Sequence, residues 1–359
     1  MVLRHLQLID FKSYTRADLD FEGRVHAITG PNGSGKTNLL DALHHLSLGR
    51  SAFNRQDLWQ IRHDAPFYRI DARLEEENLP ARMELVYPRN GKKKMLWNQS
   101  PVERIGDHVG RIPLVLILPD EAYQMGESSE WRRNFIDNTF SQAFPEYLQQ
   151  LSRYKRILNQ RNATLKYFAE RQSQDQALLL TLDEELVRES ALLFQIREAH
   201  LPRLEQALQE NYADLAGLEE KPEMRFLQNG SLQTLPQRLL DQRRADAEAQ
   251  RTLAGPHRDD YDYRLNGQQL KKTGSQGQQK TFLLALKLAQ YQFLKGHIGK
   301  APWLLLDDIF DKLDDLRIAR LLARIAHPDM GQVFLTDARP ERSRTLFNEN
   351  QIPFQEIRV

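Results

Sequence analysis

The run Gly30-Pro31-Asn32-Gly33-Ser34-Gly35-Lys36-Thr37 constrains this chain more than any other feature. It fits G-x-x-x-x-G-K-[ST], with the apolar RVHAITG at 24–30 before it and the amphipathic NLLDALHHL after it. A strand running through a tight glycine turn into a helix is the geometry in which such a run gathers its N–H groups around phosphate oxygens. The glycines permit the wrap, the Lys36 ammonium reaches the outer phosphates, and the Thr37 hydroxyl is a magnesium ligand. The chain therefore opens as an α/β fold, with ATP and Mg²⁺ as the expected cofactors.

A phosphate loop needs an acid at the end of a buried strand, and Trp303-Leu304-Leu305-Leu306-Asp307-Asp308 supplies it. Asp307 is placed to hold the magnesium shell and Asp308 to orient the attacking water or accept its proton. Lys36 and Asp307 stand about 270 positions apart, so a compact nucleotide domain demands a large insertion between them.

The pattern along the chain divides it accordingly. Residues 1–120 read as the first part of the ATPase domain, with strand signals at 6–11, 24–30 and 67–97 and a hairpin turn at Asn90-Gly91. Residues 121–250 carry long helical stripes such as LVRESALLFQIREAHL and read as an all-helical insertion, with room for a short antiparallel hairpin that Pro202 interrupts. Residues 251–359 return to alternating strands and helices. Lys+Arg 50 against Asp+Glu 49 gives a net charge of +1, so any nucleic-acid surface has to be a local patch. The absence of cysteine excludes disulfides and thiol catalysis. With no apolar run of about 18 residues, a soluble cytoplasmic protein without a membrane segment is expected.

Gly274-Ser275-Gln276-Gly277-Gln278 precedes a helical pattern marked by Phe282, Leu283, Leu286 and Ala289. That places uncharged donors at a helix N-terminus, which attracts anions. The order phosphate loop, insertion, S-x-G-Q, acidic strand end resembles the head domain of ABC and SMC-type ATPases. The stretches LQLIDFKSY, GESSEWRRNFID (126–137), AGPHRDDYDYRLNG (254–267) and LLLDDIFDKLD extend the likeness, and the whole chain resembles the RecF family of bacterial recombination mediators.

The resemblance implies an α/β ATPase head with an inserted helical domain. It implies ATP-driven dimerisation on gapped DNA and single-strand/double-strand junctions, slow hydrolysis, and work with RecR and RecO to load RecA. Lys12, Gly30 to Thr37 and Asn38 would then contact nucleotide, while Ser275, Gly277 and Gln278 would reach the nucleotide of a second subunit. Lys36, Asp308 and, in trans, Ser275 would be catalytic, Thr37 and Asp307 would hold Mg²⁺, and Asp311 to Asp314 would form the D-loop.

Lys92, Lys93 and Lys94 either contact DNA phosphates or form a solvated hairpin tip. Arg132 and Arg133 serve DNA or an internal acidic partner. Gln124 lies in a region suited to the Q-loop. His44 and His45 lack the ligand spacing of a metal site. His257, Arg258 and Asp259 match the family without a role that the sequence reveals. One departure stands out: Leu335-Thr336-Asp337 occupies the place of a histidine in transporter-type ATPases, and an aspartate there would repel a γ-phosphate. A transporter ATPase subunit and a P-loop kinase are the competing readings.

Overall fold

The computed structural model describes residues 1–54, 56–171 and 175–359, and for 311 and 312 the backbone alone. Two compact units divide the chain: Met1–Tyr123, Glu210–Glu220 and Ser275–Val359 make the first, Gln124–Gln209 and Lys221–Gly274 the second. In chain order come β1 (Val2–Phe11), β2 (Tyr14–Asp20), β3 (Val25–Thr29), α1 (Lys36–Leu48), β4 (Phe67–Glu76), β5 (Leu79–Pro88), β6 (Lys94–Trp97), β7 (Ser100–Pro101) and β8 (Leu114–Ile117). Next are α2 (Glu121–Glu127), α3 (Ser129–Ala143), α4 (Pro145–Arg171), α5 (Gln176–Ala216), β9 (Pro222–Leu227), α6 (Leu235–Asp241), α7 (Arg243–Ala249), β10 (Asp260–Leu265), β11 (Gln268–Gln269) and α8 (Leu270–Thr273). The chain ends with α9 (Gln276–Ile298), β12 (Trp303–Leu306), α10 (Asp315–Ala326), β13 (Val333–Asp337), α11 (Pro340–Glu349) and β14 (Gln355–Arg358).

In the first unit a parallel sheet runs β14-β3-β13-β12-β8. Every residue of β3, β12 and β13 is buried, which is why these strands read as unbroken apolar runs rather than alternating ones. β13 lies between β3, which feeds the glycine loop, and β12, which ends at Asp307. Two distant stretches of sequence thus meet at the carboxyl ends of one sheet, where open α/β folds bind ligands.

An antiparallel sheet, β2-β1-β4-β5-β6-β7, completes the unit. Leu39, Leu40, Leu43 and Leu46 of α1 share one core with Leu6, Leu8, Ile70 and Leu85 of that sheet and with Ile28, Leu305 and Phe334 of the parallel one. Cutting one such leucine to alanine costs about 2–5 kcal/mol, so α1 and the glycine loop at its start are firmly seated. The tight hairpin turns fall at Glu77-Asn78 and Asn98-Gln99, all four residues left-handed, as a twisted two-residue turn requires. Asn90-Gly91 instead lies in the longer connection from β5 to β6, and neither residue has positive φ.

The second unit departs from the sequence reading in two ways. Its helices are joined by a three-stranded sheet, β11-β10-β9, whose full-length β9–β10 pairing keeps residues 251–274 with the insertion instead of with the ATPase end. And α5 continues without a break through Pro202. Pro202 faces solvent while Leu201, Leu204 and Leu208 are buried, so the carbonyl that loses its partner is on the wet side and the packed side is undisturbed. The anticipated hairpin forms from α4 and α5: Tyr147 meets Arg197, Gln150 meets Glu189, Arg161 meets Asp183, and Leu165 and Phe168 cluster with Leu179. Partner numbers fall on α5 as they rise on α4, so the helices are antiparallel. No helix among the described residues is long and apolar enough to cross a membrane.

Candidate functional site

Gly33 and Gly35 adopt φ 83 and φ 110, conformations that favour glycine, and Gly35 caps α1. A Cβ on Gly30 would stand 2.3 Å from the Val359 carbonyl oxygen and 2.7 Å from Ser34 Oγ, so the loop is closed against the last residue of the chain. Lys36 is buried and its ammonium donates to the carbonyls of Gly30 (2.9 Å) and Pro31 (3.0 Å), arching the side chain back over the loop. Ser34 Oγ is buried without a partner in this cradle of N–H groups. Such an orphaned hydroxyl fits a loop shaped to take phosphate oxygens.

Thr37 Oγ1 lies 3.1 Å from both oxygens of Asp307. A hydroxyl and a carboxylate at the start of the phosphate-loop helix are the hard oxygen donors that magnesium takes alongside phosphate oxygens, so the pair fits that ion. Thr336 Oγ1 donates to Asp307 Oδ1 at 2.7 Å and accepts from the Asp308 N–H at 2.9 Å. Asp308 itself has φ 42 and ψ 38, a left-handed backbone unusual for a residue with a side chain. β3, β12 and β13 thus each deliver one component of the centre.

The β1–β2 turn braces the loop. Tyr14 OH donates to the Gly35 carbonyl at 3.1 Å, with burial pushing its pKa up to about 12, and Asn38 Nδ2 donates to Ser13 Oγ at 2.8 Å. Lys12 points its ammonium at Asp41 (2.6 Å), over the Phe53 ring. Burial of Asp41 would raise its pKa, yet the charges of His45 and Lys12 and hydrogen bonds from Lys12 and Ser51 hold it below the ordinary range. Lys12 is accordingly engaged with α1.

Ser275 caps α9. Its Oγ accepts from the Gln278 N–H at 3.2 Å while Gln278 Oε1 accepts from the Ser275 N–H at 2.8 Å, a reciprocal capping box. Gln278 Nε2 donates to Glu220 Oε1 at 2.5 Å, and Tyr212 OH donates to Glu220 Oε2 at 2.5 Å. Arg317, from α10, pairs with Asp314 and bonds Thr281, and its guanidinium lies 3.6 Å from where a Cβ on Gly277 would stand. Glu220, Tyr212 and Arg317 were invisible in the sequence because nothing local ties them to the S-x-G-Q run. Of the D-loop, Asp314 caps α10 through the Arg317 N–H at 2.9 Å, whereas the Asp311 side chain lies outside the described residues.

A family model described as an AAA domain matches residues 5–254. The chain is 37% identical over 349 residues to the DNA replication and repair protein RecF of Flavobacterium johnsoniae, covering 96% of each. It belongs to the RecF family. The RecF of Cytophaga hutchinsonii is also 37% identical, over 99% of this chain and 94% of its own length. Among solved structures, the recombination mediator protein RecF–ATPrS in the RecFOR pathway matches with a TM-score of 0.87 at 27% identity, covering 94% of this chain and 92% of that one. The Smc head domain with a coiled coil and joint from Pyrococcus yayanosii matches with a TM-score of 0.57 at 15% identity, over 99% of this chain and 94% of that one, a likeness of fold alone. Membership of the RecF family sets the transporter and kinase readings aside.

The structure gives the other candidates of this RecF-family chain the following surroundings. Lys93 is tucked against Asp57 (2.5 Å) and the Gly49 carbonyl (2.7 Å), whereas Lys92 and Lys94 are exposed. Arg132 forms a two-pronged pair with Asp260 at 2.8 and 2.9 Å and also donates to the Met125 and Gly126 carbonyls, so the internal acidic partner is the one it takes. Arg133 donates to the Asp259 carbonyl at 3.0 Å. Asp337 is fully buried and accepts from the Arg339 N–H, Arg342 and Ser343, so the feared repulsion of a phosphate is cancelled within its own chain. Gln124 is exposed on α2.

The AGPHRDD residues acquire a structural role. Buried Arg197 donates to Asp259 (2.6 Å), Asp137 (2.9 Å), Tyr147 (3.0 Å) and the Pro256 carbonyl (2.9 Å). His257 donates from Nε2 to the Thr252 carbonyl (3.0 Å) and accepts from Tyr154 OH at Nδ1 (2.5 Å), and Arg258 is exposed. On α1, buried His44 bonds the Arg50 carbonyl and buried His45 sits between Asp41 and Asp57.

Proposed function

We propose that this RecF-family chain is an ATP-dependent DNA-binding protein of replication, recombination and repair, and that ATP drives two copies together. ATP would lie in the loop from Gly30 to Thr37, its outer phosphates taken by backbone N–H groups and the Lys36 ammonium. Thr37 and Asp307 would hold Mg²⁺, which when bound offsets phosphate charge. Asp308 would orient the attacking water. The N-terminus of α9, with Ser275 and Gly277, would close over the phosphates held by the second copy, presenting donors without added charge.

The observation that carries this reading is the convergence of Thr37, Asp307, Thr336 and Asp308 at the carboxyl ends of neighbouring strands. Family membership supports the repair context, and by the same likeness DNA gaps and junctions, RecR, RecO and RecA loading are the proposed partners and task. Most of the nucleotide's binding energy would go into closing the dimer, so slow, DNA-stimulated hydrolysis is consistent with function. The test is solution mass by light scattering with Mg-ATP, Mg-ADP or no nucleotide, with and without gapped DNA, for the wild type and Ser275→Arg. Doubling of the wild-type mass with ATP alone, absent in the mutant, supports the reading. A mass indifferent to ATP in every arm overturns it.

A further inference from the structure

Thr336 occupies the penultimate position of β13, the strand between the one that feeds the phosphate loop and the one that ends at the acid pair. It is buried, and its hydroxyl is used twice: it donates to Asp307 Oδ1 at 2.7 Å and accepts from the Asp308 N–H at 2.9 Å. The same Asp307 carboxylate receives Thr37 Oγ1 at 3.1 Å. One hydroxyl therefore links the metal-side acid, and through it the phosphate-loop helix, to the backbone of the next residue. That residue, Asp308, sits at φ 42, where a backbone bearing a Cβ stays only if its surroundings hold it.

Successive residues of a strand point to opposite faces, and the pair Thr336-Asp337 divides its work that way. Thr336 serves the acid pair, while Asp337 is committed to Arg342 and Ser343 of α11. Asp337 is thus unable to act as the histidine of transporter-type ATPases does, with its own side chain free for a phosphate.

We propose that Thr336 is a positioning residue of the ATPase centre: its hydroxyl fixes the Asp307 carboxylate and the left-handed backbone of Asp308, and so sets where the Asp308 carboxylate stands relative to the attacking water. The inference rests on the reading of Asp308 given above. It separates two properties that a merely structural threonine would move together. Binding of the nucleotide depends on the loop, on Lys36 and on an Asp307 that Thr37 still holds when the Thr336 hydroxyl is gone, whereas turnover depends on where Asp308 is held.

Thr336→Val removes the hydroxyl and keeps the β-branched shape; Thr336→Ser keeps the hydroxyl and drops the methyl. The measurements are steady-state ATP hydrolysis by the full chain with gapped DNA, affinity for a fluorescent ATP analogue, and the melting temperature. For Thr336→Val the expected result is a kcat lowered about tenfold or more, with KM for ATP and analogue affinity within about twofold of wild type. Thr336→Ser recovers most of the lost turnover.

Wild-type kcat in Thr336→Val overturns the inference, as does a loss of affinity in step with the loss of turnover. If Thr336→Val melts too low for assay, Thr336→Ser decides: a serine variant that binds ATP but has lost its turnover overturns the inference as well. A wild-type protein that binds ATP and never hydrolyses it overturns the Asp308 reading and this inference with it, which distinguishes that failure from the others.

Discussion

Gln278 Nε2 donates to Glu220 Oε1 at 2.5 Å, so one arm of the α9 capping box is anchored by a carboxylate far away in the sequence. The other carboxylate oxygen is fixed by Tyr212 OH. Without Glu220 the Gln278 side chain keeps its bond to the Ser275 N–H but loses the partner that holds it still, a change of about 1 kcal/mol for a partly exposed, charge-assisted bond. Glu220→Ala is therefore expected to weaken the proposed ATP-induced association about fivefold while leaving nucleotide affinity of the single chain unchanged. Light scattering across a concentration series, beside a nucleotide titration, checks both halves. Association as tight as wild type would remove Glu220 from the account.

The three lysines at 92–94 should behave unlike one another. Lys92 and Lys94 are exposed, so reversing both charges should lower DNA affinity and cut the log–log salt slope by up to about 2 if each contacts a phosphate. Lys93 is held by Asp57 and the Gly49 carbonyl, so Lys93→Ala should leave the salt slope alone and cost about 1 kcal/mol of stability, since Asp57 is partly exposed and keeps His45 beside it. Salt-dependent DNA binding and denaturant unfolding give the two readouts. A salt slope reduced by Lys93→Ala at unchanged stability would contradict the assignment.

Much of the fold was legible because its signals are local. The phosphate loop, the apolar strands of the parallel sheet, the acid pair and the S-x-G-Q helix start each announce themselves within a few residues. What was not legible depends on partners distant in sequence. Arg132 and Arg133 are neighbours with different roles because Asp260 stands before one of them, and no feature of GESSEWRRNFID contains Asp260. Asn90-Gly91 carries the strongest hairpin signal nearby, yet the tight turns are at Glu77-Asn78 and Asn98-Gln99, where the register of the paired strands leaves two residues to reverse the chain. Asp337 looked like a defect for the same reason: Arg342, which offsets its charge, and Ser343, which donates to it, belong to the next helix.

Burial drives the pKa of His26, His44, His108 and His257 down to about 4. In the unfolded chain each titrates near 6.5, so between pH 6.5 and 4 the unfolded state binds more protons than the folded one. Stability contributed by these neutral rings is present above pH 6.5 and is lost as pH falls through that window. The slope of unfolding free energy against pH should approach the equivalent of about four protons near pH 5. Denaturant unfolding from pH 7.5 to 5 measures it, and a flat profile would mean that the rings gain access to solvent in the native protein.

Pro202 offers a direct test of how α5 tolerates a helix breaker. Its ring removes one backbone donor and crowds the carbonyl of Glu198, a burden of about 3 kcal/mol relative to alanine in a helix interior. Two effects reduce it: the position is exposed, so the freed carbonyl can be hydrated, and proline also restricts the unfolded chain. Pro202→Ala should accordingly raise stability by about 1–2 kcal/mol, since Leu201, Leu204 and Leu208 keep their buried contacts on the opposite side. The measurement is the unfolding midpoint together with its denaturant slope. A lower midpoint at unchanged slope would show that proline at this position is needed to seat those leucines, and that α5 depends on Pro202 rather than merely tolerating it.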